Sequence, residues 1–517
     1  MKKSLVPIVL FSFMSFILVF GILQNYLVFK SLKKMDLTKA TKTSKTAIFL
    51  PKIINFVTFK QIELIKFWEF SIQEISTIQE LITDAQTYLT QVVNNELGNR
   101  ELANKIIEHL EKINNKLNKI DIKELNEVQS ITEDSLVIAK KLLQTNQSYI
   151  VILQNSDELR ATGGFLGSFF ILKTQDGQIA PLEIQDIYVP DGQFGGFLEA
   201  PPGLNEYLSS GKGLRLPDAN WWPNFADSAE QILYFFETVT KEKYQGVIAL
   251  NLNIVEQLLE LTGEIYLPDY NTYINKNNFA QIARADRNDF FPGSQEKANF
   301  LNHFFNIFKL QLIHVAQENP KAIFALGKKF VTEKDLQIYS RDTEINDVLQ
   351  KRNMTGEMDN QQELYFFLVE SNVGINKANR LVNREVLIKI GENQEKIIIN
   401  FQNNNQFPYV NYQRLYVNPA TKLINIFIDG KQVNTIDQKT FNTKEGNQFK
   451  EIGFLTSVLA KSQSQIEINL NSPLSLESKK NIFIQKQAGL ANVPYTVNYQ
   501  EQNRNFELTS DQNLIFD

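Results

Sequence analysis

The chain has 517 residues, with 53 basic against 58 acidic side chains and a net charge of −5. It is too long for one ordinary core, so two or three domains are expected, and its charge offers no general affinity for nucleic acid. It has no cysteine, which excludes disulfides, thiolate zinc sites and cysteine nucleophiles. The three histidines, His109, His303 and His314, are not spaced as a metal pair and read as ordinary helix-surface or core residues, so no metal site is assigned.

Leu5 to Phe29 carry no charge and are dominated by Leu, Ile, Val and Phe. That run is long enough to cross a hydrocarbon layer as a helix, so residues 1–30 read as a transmembrane anchor, with the lipid bilayer as partner. No small-x-small cleavage site follows before Lys30, which counts against a cleaved signal peptide. Lys2 and Lys3 precede the span, and Lys30, Lys33, Lys34, Lys39 and Lys42 follow it. Taken literally, the positive-inside rule would keep the body in the cytoplasm.

Pro51 to about Gln144 reads as helical. Leu102, Ile106, Leu110, Ile113 and Leu117 recur at three- and four-residue steps, and Ile78, Leu81, Ile82, Ala85 and Leu89 make a second stripe, with Asn94 to Asn99 as the break. Residues 31–146 are therefore expected to form a helical hairpin or small bundle standing as a stalk. The stripes do not keep a strict heptad long enough for a coiled-coil dimer.

From Tyr149 the pattern changes. Strand-like runs at Tyr149–Gln154, Phe165–Lys173, Leu182–Val189, Gly246–Asn251 and Leu364–Val369 alternate with helical runs at Ala226–Val239, Ile254–Leu261 and Ser294–Ala316. This predicts a mixed α/β layered domain over 147–379. Within it, Pro190 to Asn224 reads as a long loop of the kind that serves as a lid or a functional segment. After Asn379 only short strand runs remain, such as Arg384–Ile390, Lys396–Phe401 and Ser464–Leu470, which predicts a C-terminal β-sandwich over 380–517. The fold class is thus an α+β multidomain chain.

Between two apolar runs lies Asn155-Ser156-Asp157-Glu158-Leu159-Arg160-Ala161-Thr162-Gly163-Gly164-Phe165. Two glycines could let backbone amides approach an anion, but no Lys-Ser/Thr follows and no Gly-x-Gly-x-x-Gly occurs. The other reading is that Gly163 and Gly164 take backbone angles closed to larger residues. An arginine beside a strand end can bind phosphate bidentately. Asp218 falls in the long loop, and Arg284, Asp286 and Arg287 cluster before the helix near Ser294. If these groups converge on one cleft, Arg160, Arg284 and Arg287 are the ligand-binding cations, and Asp218 or Asp286 the catalytic acid. Trp221-Trp222-Pro223 could stack on sugars, dip into the membrane interface or plug the loop onto the domain.

The block above, Asp218-Ala219-Asn220-Trp221-Trp222-Pro223-Asn224-Phe225, Gln245 to Leu250, Leu261-Thr262-Gly263 and Glu370 to Lys377 together resemble the bacterial domain of unknown function 4012 family. That resemblance supplies no chemistry. It implies an envelope protein, and with the lack of cysteine and the short basic start it favours a single-pass cell-membrane protein whose body lies outside the cytoplasm, acting as a binding or structural module. The order of strand, arginine-bearing turn, loop and helix, followed by Gly246 to Leu250, is also similar to the LytR-CpsA-Psr transferases. That second resemblance implies an alternative: transfer of a glycopolymer from a polyprenyl-pyrophosphate carrier to the cell wall with Mg as cofactor. Lys297 and Gln295 depart from it, standing where further arginines would be expected. No serine hydrolase motif occurs.

Overall fold

The computed structural model describes residues 76–516 except 89, 93–98, 120–124, 181–182, 284–294, 360–363 and 393. The expected anchor over 1–30 lies outside the described residues. Among the described residues no helix is long and apolar enough to cross a membrane. The fold is mixed α and β, with several sheets.

Helix α1 (residues 76–88 and 90–92), α2 (Arg100–Leu117) and α3 (Asn126–Gln144) open the described chain. The helical stripes do what their spacing requires. Ile106, Leu110, Ile113 and Leu117 are buried on one face of α2, and Ile78, Leu81 and Ala85 on α1. Asn99 caps α2 by accepting a hydrogen bond from the Glu101 amide at 2.8 Å, which satisfies an end donor that the helix cannot. These helices share one apolar core with the sheet that follows, including Val151, Leu153 and Ile248. From residue 76 on they are one wall of the body, and residues 31–75 of the expected stalk lie outside the described residues.

The central sheet is built on β1 (Gln147–Asn155), which pairs antiparallel with β2 (Phe165–Gln175) and parallel with β3 (Gly246–Asn251). β3 in turn pairs antiparallel with β4 (Leu336–Ser340). Tyr149 to Leu153 are apolar without alternation because both faces are covered. One face meets α3 and its neighbours. The other meets α4 (Phe225–Thr240) through Ile150, Ile152, Phe225 and Phe236. The strand expected at Leu182–Val189 is reduced to a two-residue bridge, Gln185–Asp186, followed by a short helix, Tyr188–Gln193.

The C-terminal part is two sheets enclosing one apolar core. Glu395–Asn403 shows the alternation that such a layer demands, with Ile397, Ile399 and Phe401 inward. Leu364–Asn372, which the sequence pattern grouped with the α/β run, pairs instead with Tyr409–Val417 and Asn481–Gln485 and lies in this unit. Its sequence neighbours are helical, but its bonding partners lie 39 to 51 and 118 residues further on.

Candidate functional site

β1 and β2 are joined so tightly that Asn155 and Phe165 are register partners. Gly163 has φ of 133°, and a Cβ on Gly164 would fall 2.3 Å from the carbonyl carbon of Asn155. Both glycines are therefore accounted for by backbone room at the turn.

Arg160 turns inward from this hairpin and is buried. Its Nε donates to Asp218 Oδ1 at 2.9 Å and Nη2 to Glu158 Oε1 at 3.0 Å; Nη1 donates to the carbonyls of Leu159 at 3.2 Å and Asn372 at 2.8 Å. Four of its five N–H donors are thus directed at protein oxygens. Burial works against the guanidinium charge, but Asp218 and Glu158 outweigh it and hold the pKa above its ordinary value. Burial pushes the Glu158 carboxyl up, with Arg160 opposing. Because Asn372 ends a strand of the two-sheet unit, this side chain joins hairpin, long loop and C-terminal unit. Arg160 and Asp218 do meet, as a buried ion pair; Arg284, Asp286 and Arg287 lie outside the described residues.

The carboxyl ends of parallel strands are where open α/β sheets usually leave a ligand crevice. Here that end is filled. Thr162 O accepts from Gln154 Nε2 at 3.0 Å and Gln337 Nε2 at 2.7 Å, Asn220 Nδ2 donates to Gly164 O at 2.8 Å, and Asn251 Nδ2 to Asp335 Oδ1 at 2.9 Å. The two-sheet unit adds Lys486, whose Nζ donates to Glu333 O at 2.9 Å. Burial pushes the Lys486 pKa down and that of Asp335 up, with each group opposing the shift of the other. Gly489 touches the hairpin itself: a Cβ there would lie 1.9 Å from the Gly163 carbonyl oxygen.

Trp221 is buried, stacks on Tyr412 with centroids 5.7 Å apart, and lies 4.5 Å from the Arg414 guanidinium. It plugs the long loop against the two-sheet unit, which takes its ring away from any sugar, while Trp222 beside it is half-buried. The loop is not structureless: Leu216–Asp218 forms a helical turn, and Arg215 Nη2 pairs with Asp191 Oδ2 at 2.6 Å. His109 contacts Asp84 at 3.2 Å, His303 contacts Asp269, and His314 contacts Glu318 at 3.3 Å. Among the described residues no group of His, Asp and Glu is placed to hold a metal ion.

The open space lies elsewhere. A cleft of ≈ 830 Å³ is walled by α3, by α7 (Pro320–Thr332, beyond α5, Asn253–Thr262, and α6, Gln295–Glu318), by α8 (Thr343–Lys351) and by the two-sheet unit. Asp134, from α3, accepts from Lys351 Nζ at 2.9 Å and Arg352 Nε at 2.7 Å. Across the cleft, Lys334 Nζ pairs with Asp511 Oδ1 at 2.8 Å. Glu357 accepts from the neutral amide of Gln350 at 2.9 Å, and Glu445 from Asn224 at 2.9 Å. Burial pushes the Glu357 carboxyl up, Gln350 opposes it, and the neighbouring charge of Glu445 adds to it. The wall holds five carboxylates (Asp134, Glu357, Asp359, Glu445 and Asp511) against three cations (Lys328, Lys334 and Arg352).

None of this cleft was named from the sequence. Its residues are scattered from α3 to the last strand, and no motif links them. One local signal existed: Asp134 interrupts the apolar stripe Val128, Ile131, Ile138, Leu142 and is itself buried.

The hairpin, the Asp218 turn and Trp221 all fall in one contiguous stretch that the comparisons recognise. Residues 144–287 match the family described as "Protein of unknown function (DUF4012)". The matched stretch contains β1, β2 and β3, Arg160 and Asp218, but neither β4 of the same sheet nor the two-sheet unit. No curated protein matches the chain. Among solved structures, the chain is similar to one whose description reads "putative nutrient binding protein", from Legionella pneumophila subsp. pneumophila str. Philadelphia 1, at 7% identity and a TM-score of 0.17. That alignment covers 23% of this chain and 50% of the other, so the chain spans about half of that protein's length, and a likeness so slight carries no argument.

Proposed function

We propose that this protein is a membrane-anchored binding module of the cell envelope, with its body outside the cytoplasm, and that its ligand enters the cleft between α3, α8 and the two-sheet unit. The observation that carries the reading is the wall of that cleft, in which carboxylates outnumber cations and Glu357 and Glu445 have neutral amides as partners. A half-enclosed space of this size between packed units is where small ligands bind, and its charge suits an amine-bearing one. The uncharged run Leu5–Phe29 supports the anchor, and the lack of cysteine is compatible with an oxidising compartment. The transferase alternative would need Arg160 to offer donors to a pyrophosphate, and its donors already serve protein oxygens.

Two experiments test this. Isothermal titration of the protein with spermidine and glucosamine, against N-acetylglucosamine, should show binding of the amines only. Glu357→Gln with Glu445→Gln should weaken it on the order of tenfold, about 1.4 kcal/mol. Equal binding of the acetylated sugar, or none by either amine, would sink the cleft reading. Protease added to intact cells should digest the body; protection until lysis would refute the location.

A further inference from the structure

Three loops at one end of the two-sheet unit carry large apolar side chains that no core uses. Ile375 is 71% exposed, Leu381 51%, Phe407 41% and Leu459 66%. The loops are stitched together: Asn403 Nδ2 donates to the carbonyls of Phe407 at 2.9 Å and Leu459 at 3.1 Å, Asn376 Nδ2 to Pro408 O at 3.1 Å, and the Asn404 amide to Leu381 O at 2.8 Å. Each of the four residues lies at or next to one of these bonds, so the four side chains emerge from one bonded loop cluster. Contiguous exposed apolar side chains of this kind mark interaction sites.

The backbone adds an independent observation. Ile375 sits at φ 51°, a left-handed conformation that a branched side chain rarely adopts. Asn372 holds it there, donating from Nδ2 to Asn376 O at 2.8 Å and accepting from the Gly374 amide at 3.0 Å. Strain maintained in this way at an exposed apolar tip points to use of that tip.

Charge identifies the partner. The segments 373–381, 404–408 and 459–462 contain Lys377, Arg380 and Lys461 and no Asp or Glu, in a chain whose net charge is −5, and the carboxylates that face them from packed elements are Glu158, near Lys377, and Glu256, near Arg380. Arg380 reaches Glu256 at 3.5 Å on a neighbouring helix, and Lys461 Nζ donates to the Asn404 carbonyl at 2.7 Å, which ties that cation to the patch. We propose that this patch docks on the interface of a bilayer containing anionic lipids. Apolar tips on separate loops can enter the headgroup region side by side, while the flanking cations meet the negative surface. The inference is independent of the N-terminal anchor and of the cleft.

Because the chain has no cysteine, Ile375→Cys gives a single labelling position for an environment-sensitive fluorophore, with Leu459→Cys as a second. The full chain is combined with phosphatidylcholine vesicles with or without phosphatidylglycerol, carrying nitroxide lipids. Labels at 375 and 459 should shift to the blue and be quenched on phosphatidylglycerol vesicles. A label at Ser475→Cys, past the far end of Gln463–Asn471, should be silent. Adding Phe407→Ser and Leu381→Ser should reduce quenching at 375 on the order of tenfold per side chain, with the thermal midpoint unchanged. Vesicle flotation reports the anchor separately, so a floating protein with silent labels at 375 and 459 overturns the docking and leaves the anchor standing. A shift at 375 on concentration without lipid, or equally on pure phosphatidylcholine, also overturns it.

Discussion

Replacing Arg160 by methionine separates a structural arginine from a ligand-binding one. The substitution keeps most of the side-chain volume but removes every donor, leaving Asp218, Glu158 and the carbonyls of Leu159 and Asn372 without the partner they have now. Removing one side of a buried ion pair costs about 3–5 kcal/mol. The Asp218 side chain keeps 21% of its exposure and Glu158 14%, so both can partly recruit water, which places the expected loss near the lower bound, about 3 kcal/mol. Urea unfolding followed by tryptophan fluorescence is the assay, with Trp221 buried beside the same junction. Adding Asp218→Asn and Glu158→Gln should restore at least half of the loss, because the stranded charges are then gone. An Arg160→Met protein as stable as the parent would refute the account and return Arg160 to the ligand.

Two further outcomes follow from contacts between the body and the two-sheet unit. Gly489→Ala sets a Cβ against the Gly163 carbonyl at a residue whose φ is 76°, so it should destabilise by about 2 kcal/mol or more, read as a lower thermal midpoint. Glu230 of α4 is bound by Arg341, Lys444 and Tyr339; burial would push its carboxyl up, but these hydrogen bonds prevail and hold it at about 2, against an ordinary value of 4.5. A folded pKa below the unfolded one means the stabilisation is full above pH 4.5 and is lost as pH falls towards 2. Glu230→Gln should therefore flatten the acid limb of a stability profile in that window, and an unchanged limb would contradict the assignment.

Local periodicity carried the sequence reading well where one element decides its own geometry. β3 runs over the same residues, Gly246–Asn251, that its apolar run marked, and α4 differs from its expected span by one residue at each end. Partnership was not legible. Nothing near Arg160 announces that Asp218, 58 residues on, and the Asn372 carbonyl, 212 residues on, will enclose it. The run at Leu182–Val189 has strand composition, but Pro190 sits two residues after Tyr188 and the chain turns into helix there instead. The cleft was illegible for the same reason as the ion pair: its acids come from separate elements, and only Asp134 leaves a mark on its own helix.

The contact of Gly163 with Gly489 has a consequence for how such a chain can be recombined. Two backbones meet there with no side chain between them, so the N-terminal body and the C-terminal sheets are not exchangeable parts. A chimaera that joins residues 144–287 to an unrelated sandwich must supply a glycine, at the same angle, where Gly489 now stands. Any lineage that shuffles these units inherits that constraint as a filter on which C-terminal partners the hairpin will accept.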